Sequence, residues 1–311
     1  MRIAVIGLGL IGGSLLRALA GAGHGVVGFD ADPGACSAVR EAGFRVAGSV
    51  PEAIAGTDVV VLAVPLPVLP GVVADLDGYD GLVTDVTSVK GPVRDVMRGR
   101  RYVGGHPMAG KETSGFAASD ADLFDGCAWV LCLEEDETVP ADWLLLARLF
   151  TGLGARVVPV TAAEHDTAVA RISHVPHLFA AVLAAQVGAD RLAGALAAGS
   201  FRDGTRVAAT RAELTAAMCG GNRDAVRAEL RRLVGELAAL DAALDDPGAL
   251  VPLLRRGEVA RRGWPAVAGD PRPEMSGVSA LLELGRSGGW VTSVRDDEVV
   301  TIRPESGRNP S

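Results

Sequence analysis

The first fourteen residues constrain this chain more than any other stretch. Ile3, Ala4, Val5 and Ile6 form a short apolar run that reads as a buried strand. Gly7, Gly9 and Gly12 follow in a Gly-x-Gly-x-x-Gly turn, and residues 15–19 continue as an apolar, helix-forming run. Strand, glycine turn and helix in this order make the first unit of a dinucleotide-binding fold. Gly7 permits the tight turn, Gly9 lets the backbone approach a pyrophosphate, and Gly12 lets helix and strand pack closely. Free N–H groups and a partial positive charge at the helix start favour the phosphates. The glycines alone would say little, and their flanks carry the inference.

The 311 residues are enough for two domains, and with only 4% aromatic residues the core has to be built from Ala, Val and Leu. A net charge of −8 argues against a nucleic-acid partner, whereas a small anionic ligand needs only local positive charge. Cys36, Cys127, Cys132 and Cys219 form no CxxC pair and no disulfide framework, which fits reduced thiols in the cytoplasm. The chain starts at once on a core strand, so no signal peptide is expected. No uncharged apolar run is long enough to span a membrane, so no membrane partner is expected either.

A second strand over 25–30 ends on Asp30, near the offset at which an acidic group meets the ribose hydroxyls. Asp32 competes for that role, and one of the two acids caps the next helix, which suits Asp32 before Pro33. No Lys or Arg follows until Arg40, so a 2′-phosphate would meet repulsion and no cation; NAD is expected over NADP. Residues 58–64 form a fully apolar strand, stopped by Pro65 and Pro67 in a loop at the carboxyl edge of the sheet, where such folds bind ligands. Further strands are expected over 82–86, 102–105, 128–133 and 156–159, the last of these closing the sheet. Strands alternating with helices give an α/β fold, a doubly wound Rossmann domain over 1–160. Gly7, Gly9, Leu10, Ile11, Gly12, Asp30 and Val64 are its expected cofactor contacts.

The pattern changes at Thr161, where Thr161 and Glu164 make a capping-box signature and a long Ala-rich helix follows. Pro176 should kink that helix or remove one of its hydrogen bonds. Val226, Leu230, Leu233, Leu237, Leu240 and Leu244 repeat at alternating four- and three-residue spacing, one seam on a long helix. Core packing and a shared dimer core both explain the seam. An all-α domain is therefore expected over 161–248. Beyond it, 249–311 reads as a linker rich in arginine around Arg255 to Arg262, then a small appendage with a helix near 279–284 and a hairpin of 290–294 with 299–303. The last residues read as disordered.

Five histidines are present: His24, His106, His165, His174 and His177. His106 lies just beyond a strand in a glycine-rich loop at the ligand edge, where a neutral imidazole could accept a hydroxyl proton near neutral pH. His174 and His177 share a helical face, but there is no third ligand and no HExxH pattern, so no metal is expected. Arg206 could hold a carboxylate bidentately with Asp203 orienting it; a surface salt bridge is the plain alternative.

Taken together, several segments resemble the prephenate dehydrogenases, most closely their actinobacterial form. They are GLGLIGGSLLRAL from Gly7, TDVTSVK from Thr84, VGGHPMAGKETSG from Val103, LFDG from Leu123, EHD from Glu164, SHVPH from Ser173, AGSFRDGTRVAAT from Ala198, and Asn222. The resemblance implies NAD-dependent oxidative decarboxylation of prephenate to 4-hydroxyphenylpyruvate in tyrosine biosynthesis. It implies that His106 hydrogen-bonds the ring hydroxyl and that Ser88 orients this histidine and touches substrate and nicotinamide. It also implies that His177 lies near the substrate, that Arg206 holds a substrate carboxylate with Asp203 as its ionic partner, and that the helical domain forms a homodimer.

Two departures stand out. Where relatives have Ser-Asp-Pro and a Trp, this chain has 210–215 without Trp, at the side-chain end of the substrate pocket. The tail after Asp246 does not resemble an ACT regulatory domain, so inhibition by tyrosine is not implied. Arogenate dehydrogenase is the alternative activity, followed by oxidation of 4-amino-4-deoxyprephenate, which lacks the hydroxyl. The β-hydroxyacid dehydrogenases depend on a lysine in the helical domain, and this chain has none after Lys111. A non-catalytic NAD sensor would have no need of Ser88, His106, His177 and Arg206 together.

Overall fold

The structure, a computed structural model, describes residues 1–305 apart from Glu112 and Asp297. The chain divides into two compact units: Met1–His165 with Asp270–Arg303, and Asp166–Gly269 with Pro304 and Glu305.

The first unit opens with a five-stranded parallel sheet. Its strands are β1 (Arg2–Ile6), β2 (Gly25–Phe29), β3 (Val59–Leu62), β4 (Leu82–Asp85) and β5 (Tyr102–Val103), in spatial order β2-β1-β3-β4-β5. Ile6 pairs with Phe29 and Leu62, and Leu62 with Asp85, so the carboxyl ends of four strands lie side by side. Side chains alternate between faces. Ile3, Val5, Val59 and Val61 pack with Leu15, Leu16 and Leu19 of the helix Leu10–Gly21 on one face. Ala4, Ile6, Val60 and Leu62 pack with Val50, Ile54, Leu69 and Val73 on the other. Two buried faces explain why these strands read as unbroken apolar runs.

The single sheet expected over 1–160 is two. After β5 the chain turns at Gly104 and enters a second, six-stranded sheet of β6 (Gly105–Pro107), β7 (Ala128–Cys132), β8 (Arg156–Val160), β9 (Arg272–Met275), β10 (Trp290–Arg295) and β11 (Glu298–Ile302). Its order is β6-β7-β8-β10-β11-β9, with β7 and β8 parallel and the other pairs antiparallel. A Cβ on Gly105 would lie 2.6 Å from the Asp85 carbonyl oxygen, so only glycine lets β6 leave so close to the end of β4.

The expected appendage over 249–311 is a second correction. Residues 247–262 form a helix, Pro247–Arg262, where a linker was expected; Asp246 caps it by accepting from Gly248 N at 2.8 Å, with Pro247 in its first turn. From Asp270 the chain returns to the first unit, so β8 is not its last strand. The helix near 279–284 is Val278–Arg286, and the hairpin is β10 with β11. That helix lies on β8 so closely that a Cβ at Gly285 would sit 1.8 Å from the Pro159 carbonyl oxygen. Its own Leu281, Leu282 and Leu284 are buried. The terminal stretch expected to be disordered, 306–311, lies outside the described residues.

The second unit is helical. The helix Ala162–Val169 that leads into it starts on the expected capping box: Thr161 N donates to Glu164 Oε2 at 2.9 Å, and Glu164 N to Thr161 Oγ1 at 3.2 Å. Residues 170–174 then form a π-helical turn before the helix Val175–Ala189. Pro176 supplies the reason, since it lacks an N–H and its ring crowds the preceding turn; widening that turn accommodates it without a break.

The run Ala162–Gly188 is long and apolar enough to cross a membrane by length and composition alone, yet it carries Glu164, Asp166 and Arg171. On the helix Arg223–Ala242 the apolar seam splits. Val226 is buried against Ala170 and Val175, with Leu230 and Leu233 beside it. Leu237 and Leu244 are exposed, the latter beyond the helix end.

Candidate active site

The glycine turn after β1 has the geometry its sequence demands. Gly7 has φ +98°, and a Cβ there would meet the Ala63 carbonyl oxygen at 2.4 Å. A Cβ on Gly12 would lie 1.9 Å from the Gly7 carbonyl oxygen. Around Gly9, by contrast, there is nothing within 4 Å of a Cβ, so the start of the helix Leu10–Gly21 faces open space. No side chain caps that start and no acid lies in its first turn, which leaves its N–H groups for an anion. Leu10, Ile11 and Val64 are half-buried around the turn.

Asp30, just past β2, accepts from Leu8 N at 2.7 Å with one carboxylate oxygen and from Asp32 N at 2.8 Å with the other. Each oxygen keeps a further lone pair, aimed from a fixed carboxylate. Asp32 caps the helix Pro33–Glu41 through Gly34 N and Ala35 N, which separates the two acids as cap and candidate ligand. A close glycine turn, an open helix start and an oriented carboxylate fit a dinucleotide.

Beside them, the loop after β4 carries Ser88, half-buried, within a buried polar cluster. Lys90 and Asp85 are 1% and 0% exposed and form an ion pair. Lys90 Nζ also donates to Gly105 O at 2.5 Å. Asp85 accepts from Thr87 N at 2.8 Å, from Tyr102 Oη at 2.6 Å and from Gly105 N at 3.3 Å. Removing one partner of such a pair leaves a buried charge at a cost of about 3–5 kcal/mol.

His106 follows on β6, where it pairs with Val130 of β7. Its Nδ1 lies 2.9 Å from Nε2 of His165, with the rings edge to face. His165 is buried in the first turns of the helix that Thr161 caps. Each imidazole can serve the other as donor or acceptor, so the contact couples the tautomers of the two rings. Ser88 and His106 thus sit on adjacent segments of the first unit, each directly after a residue, Thr87 or Gly105, that bonds to both Asp85 and Lys90.

In the second unit, His177 is half-buried and its Nδ1 donates to Ser173 O at 2.9 Å, which makes Nε2 its acceptor nitrogen. His174 is buried, with Asn222 Nδ2 3.2 Å from its Nδ1, and Asn222 also donates to Asp166 O at 2.7 Å. Asp203 lies on the short helix Gly199–Thr205, and Arg206 opens the 3-10 turn after it. Both are exposed. Among the described residues no group of three or more His, Cys, Asp or Glu gathers as a metal site.

Residue-by-residue reading found His106 and Asp30, but gave His165, Asp85, Lys90 and Asn222 no role. The EHD and TDVTSVK segments that hold three of them were visible as strings; their contacts depend on strand pairing.

Two family models cover most of the chain: the prephenate dehydrogenase nucleotide-binding domain over residues 13–159, and the prephenate dehydrogenase dimerization domain over residues 161–250. The prephenate dehydrogenase of Lactococcus lactis is 34% identical over 226 residues, 67% of this chain and 61% of the relative, so the chain spans about three-fifths of that protein's length. Among solved structures, a Corynebacterium glutamicum protein with a provisional prephenate dehydrogenase assignment is similar at 33% identity and a TM-score of 0.78, over 85% of this chain and 89% of that one. The prephenate dehydrogenase of A. aeolicus, solved with hydroxyphenyl propionate and NAD+, is similar at 25% identity and a TM-score of 0.76, over 84% and 97%. With the His106 strand and most of the helical unit falling in these matched regions, this chain belongs to the prephenate dehydrogenase family.

Proposed function

We propose that this protein is an NAD-dependent prephenate dehydrogenase, converting prephenate to 4-hydroxyphenylpyruvate and CO2. The observation that carries the reading is the His106–His165 contact on β6, in the same unit as the glycine turn and Asp30. Gly7, Gly9, Leu10, Ile11, Gly12 and Val64 hold the dinucleotide, and Asp30 takes the ribose hydroxyls, which favours NAD over NADP. NAD+ bound there supplies the hydride acceptor.

The chain's own residues do the rest. For His106 Nε2 to accept the hydrogen of the ring hydroxyl, Nδ1 must carry the proton and donate it to His165 Nε2. Acceptance by His106 raises electron density on the hydroxyl oxygen and so eases hydride departure from its carbon. Ser88 orients His106 and touches the substrate. The ring carboxylate then leaves as CO2, its bonding pair aromatises the ring, and the hydroxyl hydrogen ends on the phenol, so no net proton is lost. Arg206 binds a substrate carboxylate, oriented by Asp203, and His177 Nε2 lines the substrate.

The family's dimerization model and the exposed Val182, Leu192 and Leu196 of the second unit support a homodimer, and the reading places it in the cytoplasm. Purified protein with NAD+ or NADP+ and either prephenate or arogenate, followed by NADH or NADPH absorbance, tests all of this. Turnover with prephenate and NAD+ that His106→Asn lowers by about 100-fold or more supports it. Faster turnover of arogenate reassigns the substrate, and no turnover of either overturns the reading.

A further inference from the structure

Lys90 is a long, charged side chain placed where an apolar one would seal the fold as well. Its ammonium and the Asp85 carboxylate grip one peptide from both sides: Lys90 Nζ donates to Gly105 O at 2.5 Å, while Asp85 Oδ2 accepts from Gly105 N at 3.3 Å. Gly105 is the residue before His106. The same pair holds Thr87, whose N donates to Asp85 Oδ1 at 2.8 Å and whose Oγ1 accepts from Lys90 Nζ at 3.1 Å. Thr87 is the residue before Ser88. The Tyr102 hydroxyl, at 2.6 Å from Asp85 Oδ2, anchors the carboxylate from β5.

We infer that the Lys90–Asp85 pair is a positioning device: it locks the peptides preceding Ser88 and His106 to one another and so sets the spacing at which those two side chains meet the substrate hydroxyl. The inference rests on the activity proposed above. The missing side chain at Gly105 brings its peptide against the end of β4, where any movement of β6 is felt directly. Because the two strands belong to different sheets, no ladder of backbone bonds fixes their spacing, and the ion pair takes that place.

Two variants test it. Lys90→Met removes the clamp but strands the Asp85 charge, so it can also weaken the fold. The double variant Lys90→Met with Asp85→Asn removes both charges and keeps their volume, so it recovers the thermal midpoint while the grip on Gly105 O stays lost. Steady-state kinetics, NAD+ affinity and ring NMR of histidine-labelled protein are measured on both; with five histidines the ring spectrum is simple to assign.

The expected result is parental NAD+ affinity, kcat about 100-fold lower with KM within about twofold, and displaced His106 ring signals in both variants. A stable double variant with parental kcat and parental His106 signals overturns the inference. So does a loss of kcat with unmoved His106 signals, which would mark a purely structural pair. If the parent protein turns over no prephenate, the activity proposal falls, and the NMR comparison still decides whether the pair positions His106.

Discussion

Nδ1 of His106 lies 2.9 Å from Nε2 of His165, so the ring proposed to meet the substrate hydroxyl has its tautomer coupled to that of a neighbour from the helix that begins at Ala162. His165→Ala should lower kcat by roughly 10- to 100-fold with NAD+ affinity unchanged. His165→Gln, whose carbonyl oxygen stands near the lost Nε2, should recover part of that loss. Stopped-flow single turnovers measure the chemical step directly, and equal rates in parent and Ala variant would remove His165 from the mechanism.

Asp30 holds Leu8 N and Asp32 N while facing the proposed ribose. Asp30→Ala should weaken NAD+ by about 10- to 100-fold, the worth of hydrogen bonds to a charged group, and narrow the preference over NADP+. Titration calorimetry with both cofactors reads this. Parental NAD+ affinity in the variant would move the ribose contact elsewhere.

Arg206 is proposed to bind substrate before and during reaction alike. Arg206→Gln should therefore raise the KM for prephenate by about tenfold or more with kcat nearly constant. A fall in kcat at unchanged KM would instead give Arg206 a role confined to the transition state.

Leu282, fully buried on the helix Val278–Arg286, tests whether the returning C-terminal segment belongs to the first unit. Leu282→Ala should cost about 2–5 kcal/mol in denaturant unfolding of that unit. A change below about 0.5 kcal/mol would mean the segment is dispensable there.

Glu229 gives the second unit a dependence on acid. The bond from Arg232 is the main cause that holds its carboxyl below the usual glutamate value of 4.5; burial opposes it, and Arg171 adds to the lowering. A depressed native value means the stabilisation is fully present above pH 4.5 and is lost as pH falls through the lower, native one. The parent should therefore lose stability below pH 4.5 more steeply than Glu229→Gln, as equilibrium denaturation at falling pH would measure.

What was legible in the sequence was what is local. The glycine turn, the Asp32 cap and the Thr161–Glu164 capping box are each written within a few residues, and each forms as expected. His106 stood out as a histidine between glycine and proline at a strand end. His165 did not, because its partner is 59 positions away and only the pairing of β6 with β7 and of β7 with β8 brings the two together. The split into two sheets hangs on Gly104 and Gly105, which read equally well as an ordinary loop. The stretch 249–269 looked like a linker because Pro252 and paired arginines disguise a helix whose start is marked by Asp246 and Pro247. Strand β9 carries no apolar run at all; it exists because β11 offers it an edge.

That return of the chain has a consequence for synthesis. β8 emerges early and finds β7 at once, but its other neighbour, β10, lies about 130 residues further on. At about 5–20 residues per second the ribosome needs roughly 6–26 s to deliver it. Throughout that interval β8 presents a bare strand edge, an open template for the wrong partner. The nascent protein is thus most vulnerable after its cofactor half has been made and before its last strands arrive.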